Sequence, residues 1–138
     1  MDQLIEFIGN HPLLLGAFVF FIVALIVTEG RKGGRGVTVQ ELVRMVNHES
    51  AVVVDLRDRK EFSSGHIAGA INVPYASLAS RKDELKSHQD KPVILVCKIG
   101  QHASAAGSQL IKEGFSDVRR LSGGMSEWLN ANLPLVKN

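Results

Sequence analysis

The thirteen residues Pro92-Val93-Ile94-Leu95-Val96-Cys97-Lys98-Ile99-Gly100-Gln101-His102-Ala103-Ser104 constrain the fold more than any other stretch of the chain. Val93 to Val96 is an unbroken apolar run, the mark of a strand buried on both faces. Such strands belong to parallel sheets covered by helices on either side. The run ends at Cys97, the only cysteine present. After five further residues, Ala103 opens a helix-compatible segment that reaches about Glu113 and stops at Gly114. A strand, a tight loop and a helix N-terminus direct backbone N–H groups at one spot. Cys97 stands where that spot begins. Loop amides, the positive end of the helix and Lys98 are all expected to favour a thiolate there. The alternative is a cysteine that fills the end of a strand as a small apolar side chain.

From Val37 onward the same alternation recurs. Residues 37–39, 51–56, 70–73, 93–97 and 117–121 read as strands, and 40–47, 58–64, 77–86, 103–113 and 124–130 as helical segments. Gly65 ends one of these helices and Ser77 is expected to cap another. Strands separated by helices predict an α/β fold: a five-stranded, mostly parallel sheet flanked by helices. Ligands of such sheets bind beyond the carboxyl ends of the strands, where Cys97 lies.

The first 36 residues follow a different rule. Residues 13–27 carry no polar side chain, and twelve of the fifteen are Leu, Ile, Phe or Val. At about −0.3 to −0.6 kcal/mol each, these favour insertion into a bilayer by roughly 4 to 7 kcal/mol. The run covers only about 22 Å of a roughly 30 Å hydrocarbon layer. A transmembrane helix over about 8–28, within an anchor at 1–28, therefore draws on flanking residues or on local thinning of the bilayer. A cleaved signal peptide wants a basic start and small residues at the cut; here the start carries Asp2 and Glu6, and no A-x-A site follows. The run itself has no polar face with which to lie on a surface. No Lys or Arg precedes it, whereas Arg31, Lys32 and Arg35 follow at once, which orients the N-terminus outside and the remainder in the cytoplasm. Residues 29–36, with four glycines, read as a flexible linker with a reach of very roughly 15 Å. Its three basic groups add about 1 kcal/mol each on anionic headgroups.

The chain has sixteen basic and fourteen acidic side chains; removing the three of each before Val37 leaves thirteen and eleven. That balance, without aromatic-basic alternation, gives nucleic-acid binding no support. Five histidines and one cysteine show no metal-ligand spacing, so neither a metal nor another cofactor is expected.

Two long motifs flank Cys97. Asp55-Leu56-Arg57-Asp58-Arg59-Lys60-Glu61-Phe62-Ser63-Ser64-Gly65-His66-Ile67-Ala68-Gly69-Ala70-Ile71-Asn72-Val73-Pro74 resembles the first signature of the rhodanese family. Gly114-Phe115-Ser116-Asp117-Val118-Arg119-Arg120-Leu121-Ser122-Gly123-Gly124-Met125-Ser126-Glu127-Trp128 resembles the second. The likeness covers nearly all of 37–138 and implies a single rhodanese-like domain there. It implies sulfur transfer: Cys97 takes a sulfane sulfur from thiosulfate or a protein persulfide, holds it as a persulfide and passes it to a nucleophile. Lys98, Ile99, Gly100, Gln101 and His102 would form the substrate loop. The six residues from Cys97 to His102 match the length expected for sulfur, whereas phosphatases of this fold use seven. With no second cysteine, the sulfur must leave to another molecule. Together with the anchor, the resemblance implies a single-pass protein of the bacterial inner membrane.

The departure from the family is His102, where single-domain members usually carry arginine. An unperturbed imidazole, with pKa near 6.5, is cationic only about a quarter of the time at neutral pH, unlike a guanidinium fork. Either His102 contacts substrate with weakened grip on thiosulfate, or it faces water at a helix start. Asp55 and Arg57 end the strand beside the cysteine strand in the family fold, and either shape the pocket or serve structure. Arg57 and Glu61, four apart, are spaced to pair. His66 reads as a structural hydrogen-bonding residue, and Trp128 as packing for the last helix. Two functions follow: a membrane-tethered sulfurtransferase, or a non-catalytic module that binds a partner protein at the membrane.

Overall fold

The computed structural model describes residues 1–31, 33–100 and 102–137, which fall into two units, Met1–Arg31 and Lys32–Asn138. The first unit is two helices, α1 (Asp2–Asn10) and α2 (Pro12–Arg31), set at 92° to one another. The single helix expected over 8–28 is thus interrupted at His11. Pro12 has no N–H to donate, and its ring disfavours helical geometry in the preceding residue. His11 accordingly leaves the helix at φ −131°, ψ 58°, while Pro12 takes the first position of α2, which tolerates it. No single helix among the described residues is long and apolar enough to cross a membrane; only the bent pair taken together meets that length and composition.

In the second unit the strands are β1 (Arg35–Val37), β2 (Val52–Asp55), β3 (Ile71–Asn72), β4 (Val93–Val96) and β5 (Val118–Leu121). They form one sheet in the order β1-β5-β4-β2-β3, every pairing parallel. The connecting helices are α3 (Val39–His48), α4 (Arg59–Ser64), α5 (Leu78–Arg81), α6 (Ala103–Lys112) and α7 (Gly124–Asn130). All four residues of β4 are buried, and their side chains alternate between two cores. Val93 and Leu95 join Leu78, Leu85, Ala106 and Leu110 on the α5–α6 side. Ile94 and Val96 join Leu42, Met45, Met125 and Trp128 on the α3–α7 side. Cys97 continues the two-residue period and belongs to the first core.

Local chemistry explains most boundaries. Thr38 and Asp58 accept hydrogen bonds from the Glu41 and Glu61 amides and so start α3 and α4. Ser77 does not cap as expected. It ends a 3-10 turn (Tyr75–Ser77) with αR geometry and no side-chain cap, and the segment after α5 tightens into a second 3-10 stretch, Lys82–His88. The stretch expected to be a free linker is also different. α2 reaches Arg31, β1 begins at Arg35, and Gly33 and Gly34 are buried in the second unit. A side chain on Gly107 of α6 would strike the Gly33 carbonyl, and Gly34, at φ +92°, fits against the Val118 carbonyl. These glycines serve close backbone approach rather than slack.

Candidate active site

The chain leaves β2 toward β3 on one side of the sheet and leaves β4 toward β5 on the other. β2 and β4 are neighbours, with Asp55 opposite Val96. Their carboxyl ends therefore part the loops and open a crevice, the usual ligand position in a doubly wound sheet. A cleft of about 360 Å³ lies there, lined by Leu56, Arg57, Asp58, Glu61, Pro74, Tyr75, Ala76, Cys97, Lys98, Ile99 and His102.

Cys97 is the residue after β4, only 4% exposed, at the wall of this cleft. Gly100, at φ +94°, turns the loop back so that its N–H donates to Cys97 Sγ at 2.8 Å. The loop is held from below by α7. The Met125 amide donates to the Cys97 carbonyl (2.8 Å), and the Ser126 amide and hydroxyl donate to the Lys98 carbonyl (3.1 and 3.2 Å). In a trans peptide the N–H opposes the C=O, so the Lys98 and Ile99 amides face away from α7. Gly124, at φ +60°, makes this approach feasible, since a Cβ there would collide with the Cys97 carbonyl and lie 3.0 Å from the Ile99 and Gly100 nitrogens. No side chain caps α6, so its first amides lie unclaimed by the helix one short loop from the sulfur.

His102, the residue before α6, lines the cleft and stacks on Tyr75 with centroids 4.4 Å apart and planes within 7°. Lys98 and Ile99 are exposed at the cleft wall. Gln101, expected in the substrate loop, lies outside the described residues. Arg57 pairs with Asp55 rather than with Glu61: Nε lies 3.0 and 3.1 Å from the two carboxylate oxygens, and Nη2 lies 2.8 Å from Oδ2. Nη2 also donates to the Gly65 carbonyl at 2.7 Å. The i,i+4 spacing misleads because Asp58 breaks in as the helix cap, which leaves Arg57 outside the helix. Arg57 thus both braces Asp55 and lines the cleft. Asp55 is 1% exposed and does not line the cleft; it holds Arg57 from behind. His66 Nδ1 bonds the Phe62 carbonyl at 2.8 Å and its ring stacks on Phe62, away from the cleft. Trp128 packs in the α3–α7 core and donates to the Pro134 carbonyl.

Sequence reasoning missed Tyr75, and it assigned Glu61 to structure although it lines the cleft. It also missed the part played by Gly123-Gly124 and Ser126. A glycine pair at the cap and first position of a helix, instead of a Ser, Thr, Asp or Asn cap, was the available signal.

Comparison with known proteins agrees with this geometry. A family model for the rhodanese-like domain matches residues 38–131. An uncharacterized protein of Escherichia coli, YibN, is 40% identical over 99% of both chains, so the similarity runs through the N-terminal helices. The thiosulfate sulfurtransferase GlpE of Shewanella oneidensis is 38% identical over 69% of this chain and 92% of its own. Among solved structures, a rhodanese-related protein of Thermoplasma volcanium superposes with a TM-score of 0.68 at 26% identity, covering 75% of this chain and 99% of that one. With the matched region spanning four of the five strands, the cysteine loop and both flanking motifs, this chain belongs to the rhodanese-like domain family.

Proposed function

We propose that the protein is a membrane-tethered sulfurtransferase with Cys97 as its nucleophile. The observation that carries this reading is the Gly100 N–H on Cys97 Sγ inside an open cleft. A donor amide at that distance stabilises negative charge on sulfur, and the cleft admits a donor to it. The thiolate attacks the outer sulfur of thiosulfate; the sulfur–sulfur bond of the donor breaks, sulfite leaves with its electron pair, and Cys97 becomes a persulfide anion. A nucleophile such as cyanide or an acceptor thiolate then removes the terminal sulfur and regenerates the thiolate. Charge balances in both steps, and no redox partner is required.

The charges around the cleft bear on the donor. Arg57 and Lys98 are matched by Asp58 and Glu61, and Arg57 is already bound to Asp55. A monoanionic persulfide therefore meets less repulsion there than dianionic thiosulfate, and a protein persulfide is the favoured physiological donor. The tether is the apolar part of α2, with the basic residues after it on the cytoplasmic side of a bacterial inner membrane.

The test uses the full chain incubated with thiosulfate or with a persulfide donor, followed by intact-mass measurement. Gain of one sulfur atom, lost on adding cyanide with release of thiocyanate, is expected, and Cys97→Ser should gain none. Failure of the native chain to take up sulfur from either donor overturns the enzyme reading and leaves a partner-binding module.

A further inference from the structure

Resting on the proposed tether, we propose that α1 is an interfacial foot: it lies flat in the headgroup region of the outer leaflet while α2 runs from it into the bilayer. Asp2–Asn10 divides cleanly around its axis. At 100° per residue, Leu4, Ile5, Phe7 and Ile8 fall on one side, and Asp2, Gln3, Glu6 and Asn10 on the other. α2 shows no such division, being apolar all round from Leu13 to Val27.

The 92° bend makes these two patterns one device. The inner angle between the helices is lined by Leu4, Phe7 and Ile8 from α1 and by Leu14, Phe18 and Phe21 from α2. The apolar side of α1 thus faces along α2, and its carboxylates face the other way. An L of this kind placed with α2 along the bilayer normal puts Asp2 and Glu6 in water and fills the corner with acyl chains. A straight extension of α2 would instead draw Glu6 toward the hydrocarbon, and a free α1 would leave four large apolar side chains in water. His11, at the corner, packs its ring 4.8 Å from that of Phe7. The occupant of the corner is lipid, because every side chain lining it except that of His11 is apolar.

The foot also answers the shortness of α2. Pro12 to Thr28 spans about 25 Å at 1.5 Å per residue, against about 30 Å of hydrocarbon. An amphipathic helix wedged at the headgroup–acyl boundary spreads the lipids beside it and thins the layer where α2 crosses. With Asp2 and Glu6 on its wet face, the foot needs no anionic lipid, consistent with the first Lys or Arg of the chain being Arg31 at the far end of α2.

The test places single cysteines by Leu4→Cys, Glu6→Cys and Phe20→Cys in the full chain carrying Cys97→Ser. Each is labelled with an environment-sensitive fluorophore and reconstituted in phosphatidylcholine vesicles. Quenching by aqueous iodide and by nitroxides carried high or low on the acyl chain is then read. Expected is a Leu4 label quenched by the high nitroxide, a Phe20 label quenched by the low one, and a Glu6 label several-fold more iodide-sensitive than the Leu4 label. Equal iodide sensitivity at Leu4 and Glu6, with Phe20 still quenched by lipid, refutes the foot and leaves the tether. Quenching of Leu4 and Glu6 alike by the low nitroxide refutes it in favour of one straight span. An iodide-accessible Phe20 label removes the tether itself, and the foot with it.

Discussion

Replacement of Arg57 by methionine tests how the cleft is held together. The guanidinium lies against both oxygens of Asp55 and donates to the Gly65 carbonyl; its side chain is 10% exposed and that of Asp55 1%. Arg57→Met leaves a buried carboxylate whose remaining donor from that residue is the main-chain N–H at 2.9 Å. Breaking a buried pair by removing one partner costs about 3–5 kcal/mol, a large share of the roughly 5–15 kcal/mol that holds a domain folded. For a domain of this size each kcal/mol lowers Tm by about 4–8 °C, so a loss of more than about 12 °C is expected. The chain has a single tryptophan, Trp128, buried in the domain, and its fluorescence reports thermal unfolding without interference from α1 or α2. Asp55→Asn combined with Arg57→Met removes the orphaned charge while keeping an oxygen for the residue 57 amide, and most of the lost stability should return. A fall of only a degree or two for Arg57→Met refutes the strut. So does a double variant no more stable than Arg57→Met alone.

Two further substitutions separate loop geometry from loop charge. His102→Arg keeps a planar group that can stack on Tyr75 and adds a permanent cation at the cleft wall; thiosulfate turnover should rise with KM falling, and an unchanged KM would show that position 102 does not meet the donor. Gly124→Ala costs about 1–2 kcal/mol for the left-handed backbone, and it also drives a methyl group into the Cys97–Gly100 loop. Gly69→Ala is the matched control, with φ +79° and nothing within 4 Å of the added carbon. Both should lose a similar few degrees of Tm from the backbone alone, but only Gly124→Ala should also lose sulfur uptake. Equal activity in the two variants would refute the role given to α7 in setting the loop.

Much of the domain is written in local patterns. The apolar run at 93–96, the alternation of strands with helices and the glycine at position 100 announce a parallel sheet with a tight loop after the cysteine strand, because burial on both faces leaves a strand no polar positions. Capping is equally local, a side-chain oxygen satisfying an orphan amide three residues on, yet Thr38 reads in sequence as part of a strand and the cap expected at Ser77 does not form. What required the tertiary structure is everything carried by long-range contact. Arg57 pairs two residues back rather than four ahead. Tyr75 reaches His102 across the cleft, and α7 grips the Cys97 and Lys98 carbonyls from 28 residues away in sequence. The glycines at 33 and 34 look like slack in sequence, since composition records that a side chain is missing but not which backbone approaches in its place. At the N-terminus the sequence reading took residues 1–28 as one anchor; a nine-residue helix is too short to stand alone, and only the right angle at His11 separates α1 and gives its apolar side a direction.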